Sequence, residues 1–226
     1  MALKLDDLVV KMIFLAVPMI AGVVVLRLPI VRLAFGSREF PWEATLITAK
    51  VLGIMAVIIV FQSISAILTR TFYALHDTKT PLWIAGVSLL VNLIVNSYFI
   101  LFTNLGIVGL SISISLAAVI QSLGLMLVLT RRLPESNLFA WLASGWKIAL
   151  AGTIAGGLGW ILMRQVDHRL IDTTKTLGVV EILVLVGGVI LAAYLVLANY
   201  LVADITGYFA NKALEVGRGF DRFKKN

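Results

Sequence analysis

The hydrophobic residues of this chain fall into six long runs, with polar residues concentrated between the runs. A membrane barrel strand alternates apolar and polar side chains over about ten residues, whereas these runs stay apolar for longer. A helix that crosses a bilayer needs about 20 apolar residues, and lipid leaves no water to satisfy an open backbone. The pattern therefore predicts an all-α polytopic membrane protein, whose six spans are 12–35, 51–68, 82–102, 106–129, 148–163 and 177–202.

Proline and charge interrupt two of these runs. Pro18, Arg27 and Pro29 break the first run, and the apolar residues before Lys147 can extend the short fifth run towards the N-terminus. The runs group into four transmembrane helices over 1–140, a C-terminal helix pair over 141–202 and a basic tail over 203–226. Apolar residues of the tail recur near one helical face, which favours an amphipathic helix on the inner membrane surface.

Composition agrees with this interpretation and removes several classes of protein. The chain of 226 residues is 60% hydrophobic and 14% charged, with a mean hydropathy of +1.01, which excludes a soluble domain. It has no cysteine, and its two histidines, His76 and His168, are too far apart for a local metal motif. No nucleotide-binding or nucleophile motif is present, so an enzyme is not predicted.

The basic residues predict an orientation. The net charge is +7, which in a membrane protein indicates anionic phospholipid as a partner and not nucleic acid. With six spans both termini lie on one side, and that side holds most of the 19 lysines and arginines. Cytoplasmic loops carry the excess of such residues, so both termini are predicted to be cytoplasmic.

Uncharged polar residues recur inside the second, third and fourth spans. Ser88, Asn92 and Asn96 are four residues apart and share one face of the third span, and other candidates for lining a cavity are Gln62, Ser111 and Ser115. Such groups either line a watery cavity or form hydrogen bonds between helices. Two amide oxygens one turn apart also suit a hard cation, so Asn92 and Asn96 are candidate sodium ligands.

The last two spans carry small residues at helical spacing. Gly152 and Gly156 form a G-x-x-x-G pair, and Gly188 begins a similar pair in the sixth span. This spacing lets helix backbones approach closely, or it opens a groove for lipid between the fifth and sixth spans. Arg27 lies near one membrane interface, where its side chain either snorkels to water or contacts an anion at the mouth of a cavity.

The most individual stretch of the chain, RTFYALHDTKTP, lies between the second and third spans. Pro81 suits the first turn of a helix, and Thr80 before it suits an N-cap. Asp77 favours a local turn of side chain to backbone, and Arg70 is expected to hold the end of the second span at the cytoplasmic face. His76 beside Asp77 is not expected to form an acid–base pair, because sequence neighbours need not face one another.

This stretch resembles the R-x-F-Y-A-L-x-D-T-x-T-P signature of the MurJ/MviN-type lipid II flippases of bacteria. The residues that match are Arg70, Phe72, Tyr73, Asp77, Thr80 and Pro81. LPIVRLAFGSREF resembles a segment of the helix that precedes this signature in the family, and LGIVGLSISISLAA resembles the hairpin that follows it. The resemblance is good over about 16–132 and weaker over the next two helices.

The resemblance implies a fold of fourteen helices in two lobes of six plus a C-terminal pair, of which this chain matches the last six. It implies transport of a disaccharide-pentapeptide on undecaprenyl pyrophosphate across the bacterial inner membrane by alternating access. It also implies sodium binding in the second lobe at the positions of Asn92 and Asn96, although Asn96 lacks the charge of the usual acid. The family's cavity arginines precede this sequence, and Arg27 has no counterpart among them.

The length of the chain leaves alternative functions open. Six helices do not form two lobes around a cavity, so the chain is expected to need an N-terminal lobe in the same or another chain. The other hypotheses are an exporter of a different polysaccharide or a drug, from the same superfamily, and a non-transporting membrane scaffold that binds a partner through its glycine-rich helices.

Overall fold

A computed structural model describes residues 2–35, 41–132, 138–169 and 176–201. The described residues form helices and connecting turns, with no strand among them. In chain order the helices are α1 (Ala2–Phe35), α2 (Trp42–Met55), α3 (Ile58–Ala74), α4 (Lys79–Phe102), α5 (Ile107–Arg132), α6 (Leu138–Arg169) and α7 (Thr176–Leu201). The predicted all-α class is confirmed.

Six stretches of these helices are long and apolar enough to cross a membrane, as the hydrophobic runs predicted. They are Leu8–Phe35, Trp42–Ala74, Lys79–Phe102, Ile107–Arg132, Gly145–Gln165 and Gly178–Leu201. The extension of the fifth span ahead of Lys147 is confirmed, because α6 begins at Leu138. The turn between α4 and α5 is as short as expected and passes through Gly106, whose φ of 53° suits a residue without a side chain.

The second span is longer than predicted and is built from two helices. It begins at Trp42 and ends at Ala74, whereas the hydrophobic run covers only 51–68. Ala56 and Val57 separate α2 from α3, and Val57 donates its amide hydrogen to the oxygen of Ile54 at 3.3 Å, a tightened turn. The predicted bounds were too short because polar residues such as Lys50 continue the helix at its end.

The first helix, α1, is continuous through the two prolines that interrupt its apolar run. Pro18 and Pro29 both lie inside α1, and Pro29 is buried. A proline removes one backbone donor, and neighbouring helices in a membrane bundle can accommodate the change. The single span predicted over 12–35 is therefore confirmed.

The helix α1 lies at the centre of the bundle and contributes to two hydrophobic clusters. The first cluster joins α1, α6 and α7, and within it the buried Tyr194 donates its hydroxyl hydrogen to the oxygen of Phe14 at 2.7 Å. The second joins α1, α3 and α5 around Leu68, Phe72 and Leu125. Since α4 packs mainly on α5, most of its large apolar side chains are exposed.

Three predictions lie beyond what the structure tests. The basic tail predicted over 203–226 lies outside the described residues. The placement of both termini in the cytoplasm stays a prediction, as does the division of the chain at residues 140 and 202.

Candidate functional site: the signature turn and a groove through the bundle

The turn between α3 and α4 ends α3 with a Schellman motif. The amide of Asp77 donates to the oxygen of Phe72 at 3.0 Å, and the amide of His76 donates to the oxygen of Tyr73 at 3.0 Å. These two bonds satisfy carbonyl groups that the end of α3 would otherwise leave unpaired. They require a left-handed residue at His76, whose φ is 57°.

The side chain of the same aspartate opens the next helix. Its Oδ1 atom accepts the amide of Lys79 at 3.1 Å and that of Thr80 at 3.0 Å, while Oδ2 accepts the hydroxyl hydrogen of Thr80 at 2.6 Å. Asp77 is therefore the residue that caps α4, and the N-cap predicted at Thr80 was wrong. The prediction failed because Thr80 lies within the first turn, where its hydroxyl donates back to the cap.

The cap is paired with a cation from the far end of α5. An Nη1 atom of Arg132 lies 2.5 Å from Oδ2 of Asp77, and its Nη2 atom donates to the hydroxyl oxygen of Thr80 at 3.3 Å. The guanidinium carbon also lies 5.9 Å from the centre of the Phe72 ring. Residues 77, 80, 132 and 72, named here the Asp77 cluster, thus tie α3, α4 and α5 together at one membrane face.

Hydrogen bonds and charge stabilise the carboxylate of this cluster. The hydroxyl of Thr80, then its backbone amide, lower the pKa of Asp77 most. Desolvation raises this pKa by less, and the guanidinium of Arg132 and the amide of Lys79 lower it by still smaller amounts. No role beyond its charge was predicted for Arg132, because its partner is 55 residues away in the sequence. The expectation that His76 and Asp77 form no acid–base pair agrees with this geometry.

The other signature residues divide between interior and surface. Phe72 is fully buried, and Pro81 is buried in the first turn of α4, where it was predicted. Tyr73 is 53% exposed. Arg70 is exposed one turn before the end of α3, so the span continues beyond the residue that was expected to hold its end.

The serines predicted to line a cavity bond mostly within their own helices. Ser88 donates to the oxygen of Ala85 at 2.9 Å, and Ser111 donates to that of Val108 at 2.7 Å. The hydroxyl of Ser115 donates to the backbone oxygen of Ser111 in its own helix at 2.8 Å. It also lies 3.4 Å from the backbone oxygen of Ile54, near the end of α2. Gln62 is exposed. The interhelical contact of Ser115 supports packing at the break in the second span.

The two asparagines face α5 and differ in their partners. Nδ2 of Asn92 donates to the hydroxyl oxygen of Ser113 at 3.5 Å, a long bond between α4 and α5. Oδ1 of Asn96 is buried with no donor among the described residues. A buried oxygen without a donor fits a cation. The described residues hold no group of three or more histidine, aspartate or glutamate side chains that could bind a metal ion. Sodium binding at the two asparagines stays a prediction.

A groove of about 800 Å³ lies between α1, α3, α5 and α6. Its walls are almost wholly apolar. Of the described residues that line it, Arg27 alone is charged. The lining residues are Val9, Ile13, Val17, Ile20, Ala21, Val24, Val25, Arg27, Val57, Val60, Phe61, Ile64, Ser122, Leu123, Met126, Gly145, Trp146, Ala149, Gly152, Thr153, Gly156, Gly157 and Trp160. None of the six predicted cavity-lining residues is among them.

Two of the three predicted groove glycines belong to this groove. A Cβ atom on Gly152 would overlap the side chain of Val17, and one on Gly156 would lie 3.5 Å from Cβ of Ala21, so both glycines pack on α1. Gly188 has open space around its missing side chain and lies outside the groove. The groove lies between α6 and the helices α1, α3 and α5. It does not lie between the fifth and sixth spans, because α6 and α7 pack together closely at Gly159 and Ile190. A role in lipid binding for these three glycines stays a prediction.

The family model for the lipid II flippase MurJ matches residues 2–179 of this chain. The chain belongs to the MurJ family. That match covers the Asp77 cluster and the groove, and it agrees with the family named by the motifs of the sequence.

Curated relatives of the MurJ family give the same result. A probable lipid II flippase MurJ of Bdellovibrio bacteriovorus is 34% identical over 140 residues, which is 62% of this chain and 26% of the relative. The lipid II flippase MurJ of Thermosipho africanus is 30% identical over 54% of this chain and 25% of its own length. A probable MurJ of Thermotoga maritima is 26% identical over 71% of this chain and 34% of its own length.

The chain thus spans about a quarter to a third of the length of the MurJ relatives it matches. This share is consistent with a chain that corresponds to six helices of a longer transporter. Together with six apolar spans, MurJ family membership indicates a multi-pass protein of the bacterial inner membrane.

Proposed function

We propose that this chain forms part of a lipid II flippase, which moves undecaprenyl-pyrophosphate-linked peptidoglycan precursor across the inner membrane by alternating access. The observation that carries the proposal is the family match over 2–179, which includes the signature turn. The names of the matched relatives give lipid II as what those proteins move. As a transporter, the chain needs no catalytic group of its own.

The geometry supports a role as one structural unit of such a transporter. Alternating access needs helices that move as a body, and the Asp77 cluster joins the ends of α3, α4 and α5 by a cap, an ion pair and a ring contact. A cavity that shields a charged head group needs walls on more than one side. We therefore propose that an N-terminal lobe, in the same or another chain, supplies the opposite wall.

Transport itself tests the proposal. The protein is purified from its native membranes in the form that occurs there and placed in vesicles, and the fraction of lipid II that reaches the opposite leaflet is measured over time. We expect lipid II to cross faster than in empty vesicles and faster than other polyprenyl-linked sugars. Transport of another sugar lipid or a drug alone would favour a different exporter of the superfamily, and binding without any transport would favour a scaffold.

A double variant tests the polar face of α4 in the same assay. Asn92→Leu combined with Asn96→Leu removes both amides from the face of α4 that packs on α5. We expect slower transport if this face serves the cavity or a sodium ion, and replacing sodium by potassium then has less effect on the variant. Asn104→Leu is the matched control, because Asn104 is exposed in the turn after α4. Unchanged transport in the double variant would assign both amides to helix packing.

A further inference from the structure

Arg27 is a cation inside a membrane-spanning helix and at the wall of an apolar groove. It lies within the span Leu8–Phe35, eight residues before its end, which is about 12 Å along a helix. Its side chain is exposed, and it is the charged side chain among the groove-lining residues described above. A charge at such a position is costly unless a partner of opposite sign accompanies it.

The described part of the chain gives Arg27 space and no ionic partner. A Cβ atom on Gly53 would lie 3.0 Å from Nη1 and 3.2 Å from Cδ of Arg27, so the side chain lies across α2 where a glycine leaves room for it. No carboxylate among the described residues forms an ion pair with it. Arg132 is paired with Asp77, Arg32 lies 4.9 Å from the Trp42 ring, and Arg164 lies 5.6 Å from the Trp160 ring.

The groove below Arg27 has the length and the chemistry of a site for an apolar chain. Val9 and Arg27 both line it and are 18 residues apart on α1, about 27 Å along the helix. That length approaches the thickness of the hydrocarbon core, so the groove can hold a chain lying along the membrane normal. Its volume of about 800 Å³ is within the range of ligand sites.

We propose that this groove binds an anionic phospholipid, with the phosphate on the guanidinium of Arg27 and an acyl chain along α1, α3 and α6. Arginine presents several donors in a fork that matches phosphate oxygens, and the low dielectric of the site strengthens the pairing. The groove wall offers little for a sugar or peptide head group, since Ser122 and Thr153 are its other polar side chains apart from the indoles. A glycerophospholipid therefore fits it better than a large glycolipid. The inference goes beyond the proposed function, since a bound phospholipid does not require transport.

Native mass spectrometry of the protein purified from its own membranes in an uncharged detergent tests this site. The probes are phosphatidylglycerol, a diacylglycerol with the same chains and inorganic phosphate as a competitor. We expect phosphatidylglycerol to bind at one site, diacylglycerol to bind at least about tenfold more weakly, and inorganic phosphate to compete poorly. Equal binding of diacylglycerol would overturn the role of the lipid phosphate and of the Arg27 charge. Full competition by inorganic phosphate would overturn the role of the acyl chain.

Variants locate the site. Arg27→Met should weaken phosphatidylglycerol at least about tenfold, whereas Arg27→Lys, which keeps the charge, should weaken it less. Arg32→Met is the matched control on the same helix and should leave the affinity unchanged. Gly53→Ala keeps the arginine and crowds its side chain, so it tests the same geometry if Arg27→Met fails to fold.

Two further results would overturn the proposal. The first is an Arg27→Met protein that binds phosphatidylglycerol like the unchanged chain. The second is a native protein that binds no phospholipid at this site because another of its helices fills the groove, which a crosslink from that helix to the groove wall would reveal. Either result leaves the transport assay, and hence the proposed function, unaffected.

Discussion

Two arginines at opposite ends of the bundle have opposite surroundings. Arg132 contacts the carboxylate of Asp77, the hydroxyl of Thr80 and the ring of Phe72, all contributed by helices that pack on α5. Arg27 lies across Gly53 at the wall of an apolar groove and pairs with none of the described carboxylates. One end of the bundle is therefore held by polar contacts within the chain, and the other presents an arginine to whatever enters the groove.

Both arginines are exposed, so the comparison shows how the neighbouring groups, and not burial, decide the use of a charge. At the Asp77 cluster the charge is neutralised locally, so the arginine contributes to the fixed arrangement of three helices. At the groove the wall is apolar and loosely filled, so the charge is available for a ligand. The following predictions test each half of this comparison, beginning with the largest expected effect.

Replacing Phe72 should destabilise the end of the bundle at which the Asp77 cluster lies. Phe72 is fully buried against Leu68, Leu125 and Leu129, so Phe72→Ala should lower the free energy of unfolding by about 3–5 kcal/mol. Tyr73→Ala is the control, because Tyr73, the neighbour of Phe72 in the signature, is 53% exposed. Unfolding of the purified protein in detergent, followed by circular dichroism, measures the difference. Equal losses for the two variants would contradict the packing described for this end.

The groove end offers a matched pair of glycines. Gly152 and Gly157 both line the groove, but a Cβ atom on Gly152 would overlap Val17, whereas one on Gly157 would meet nothing within 4 Å. Gly152→Ala should cost about 1–3 kcal/mol of unfolding free energy, because α1 and α6 must separate. Gly157→Ala should be neutral or gain less than about 1 kcal/mol through helix propensity. The same unfolding assay reads both, and a costly Gly157→Ala would mean that α6 has a neighbour there.

Acid should release the Asp77 cluster, with the smallest effect because the pair lies near the surface. The contacts lower the pKa of Asp77 below its ordinary value of about 4, so its carboxylate stabilises the fold above that pH. This contribution is lost as pH falls below about 4 and through the lowered pKa. The unfolding temperature of Asp77→Asn should therefore lie below that of the unchanged chain at pH 6, and the gap should narrow at pH 3.

Two further variants complete the acid test. Arg132→Met should reproduce the loss at pH 6 and add less than its full effect to Asp77→Asn, because both variants break the same pair. Glu43→Gln, an exposed acid at the start of α2, controls for the change in net charge. A gap that persists unchanged at pH 3 would mean that the carboxylate charge of Asp77 is not what stabilises the cluster.

The sequence was sufficient for the class of fold and for the family, because both depend on local patterns. Long apolar runs indicate spanning helices without any knowledge of their neighbours, and RTFYALHDTKTP is continuous in the chain. The break at Ala56 and Val57 could not be found in this way. Those residues are as apolar as their surroundings, and the carbonyl of Ile54 accepts the hydroxyl of Ser115 from another helix as well as the amide of Val57.

The contacts of the two arginines were equally beyond a local pattern. Arg132 pairs with a residue 55 positions away, and the sequence suggested instead that Arg70 holds the turn. Two interpretations of Arg27 were open from the sequence, snorkelling to water or contact with an anion. Only the packing of the helices reveals the glycine beneath Arg27 and the groove beside it. The choice of cap was also a matter of contacts, since Asp77 and Thr80 both favour helix starts.

Asp77 closes α3 with its amide and begins α4 with its carboxylate, so one residue fixes the register between two spans. One residue added or removed after it would rotate the rest of α4 by about 100° about its axis. The face that carries Ser88, Asn92 and Asn96 would then turn from α5 towards lipid. The length of this turn is therefore under as strong a constraint as its composition, and a gene that carries this signature has little freedom to gain or lose a codon within it.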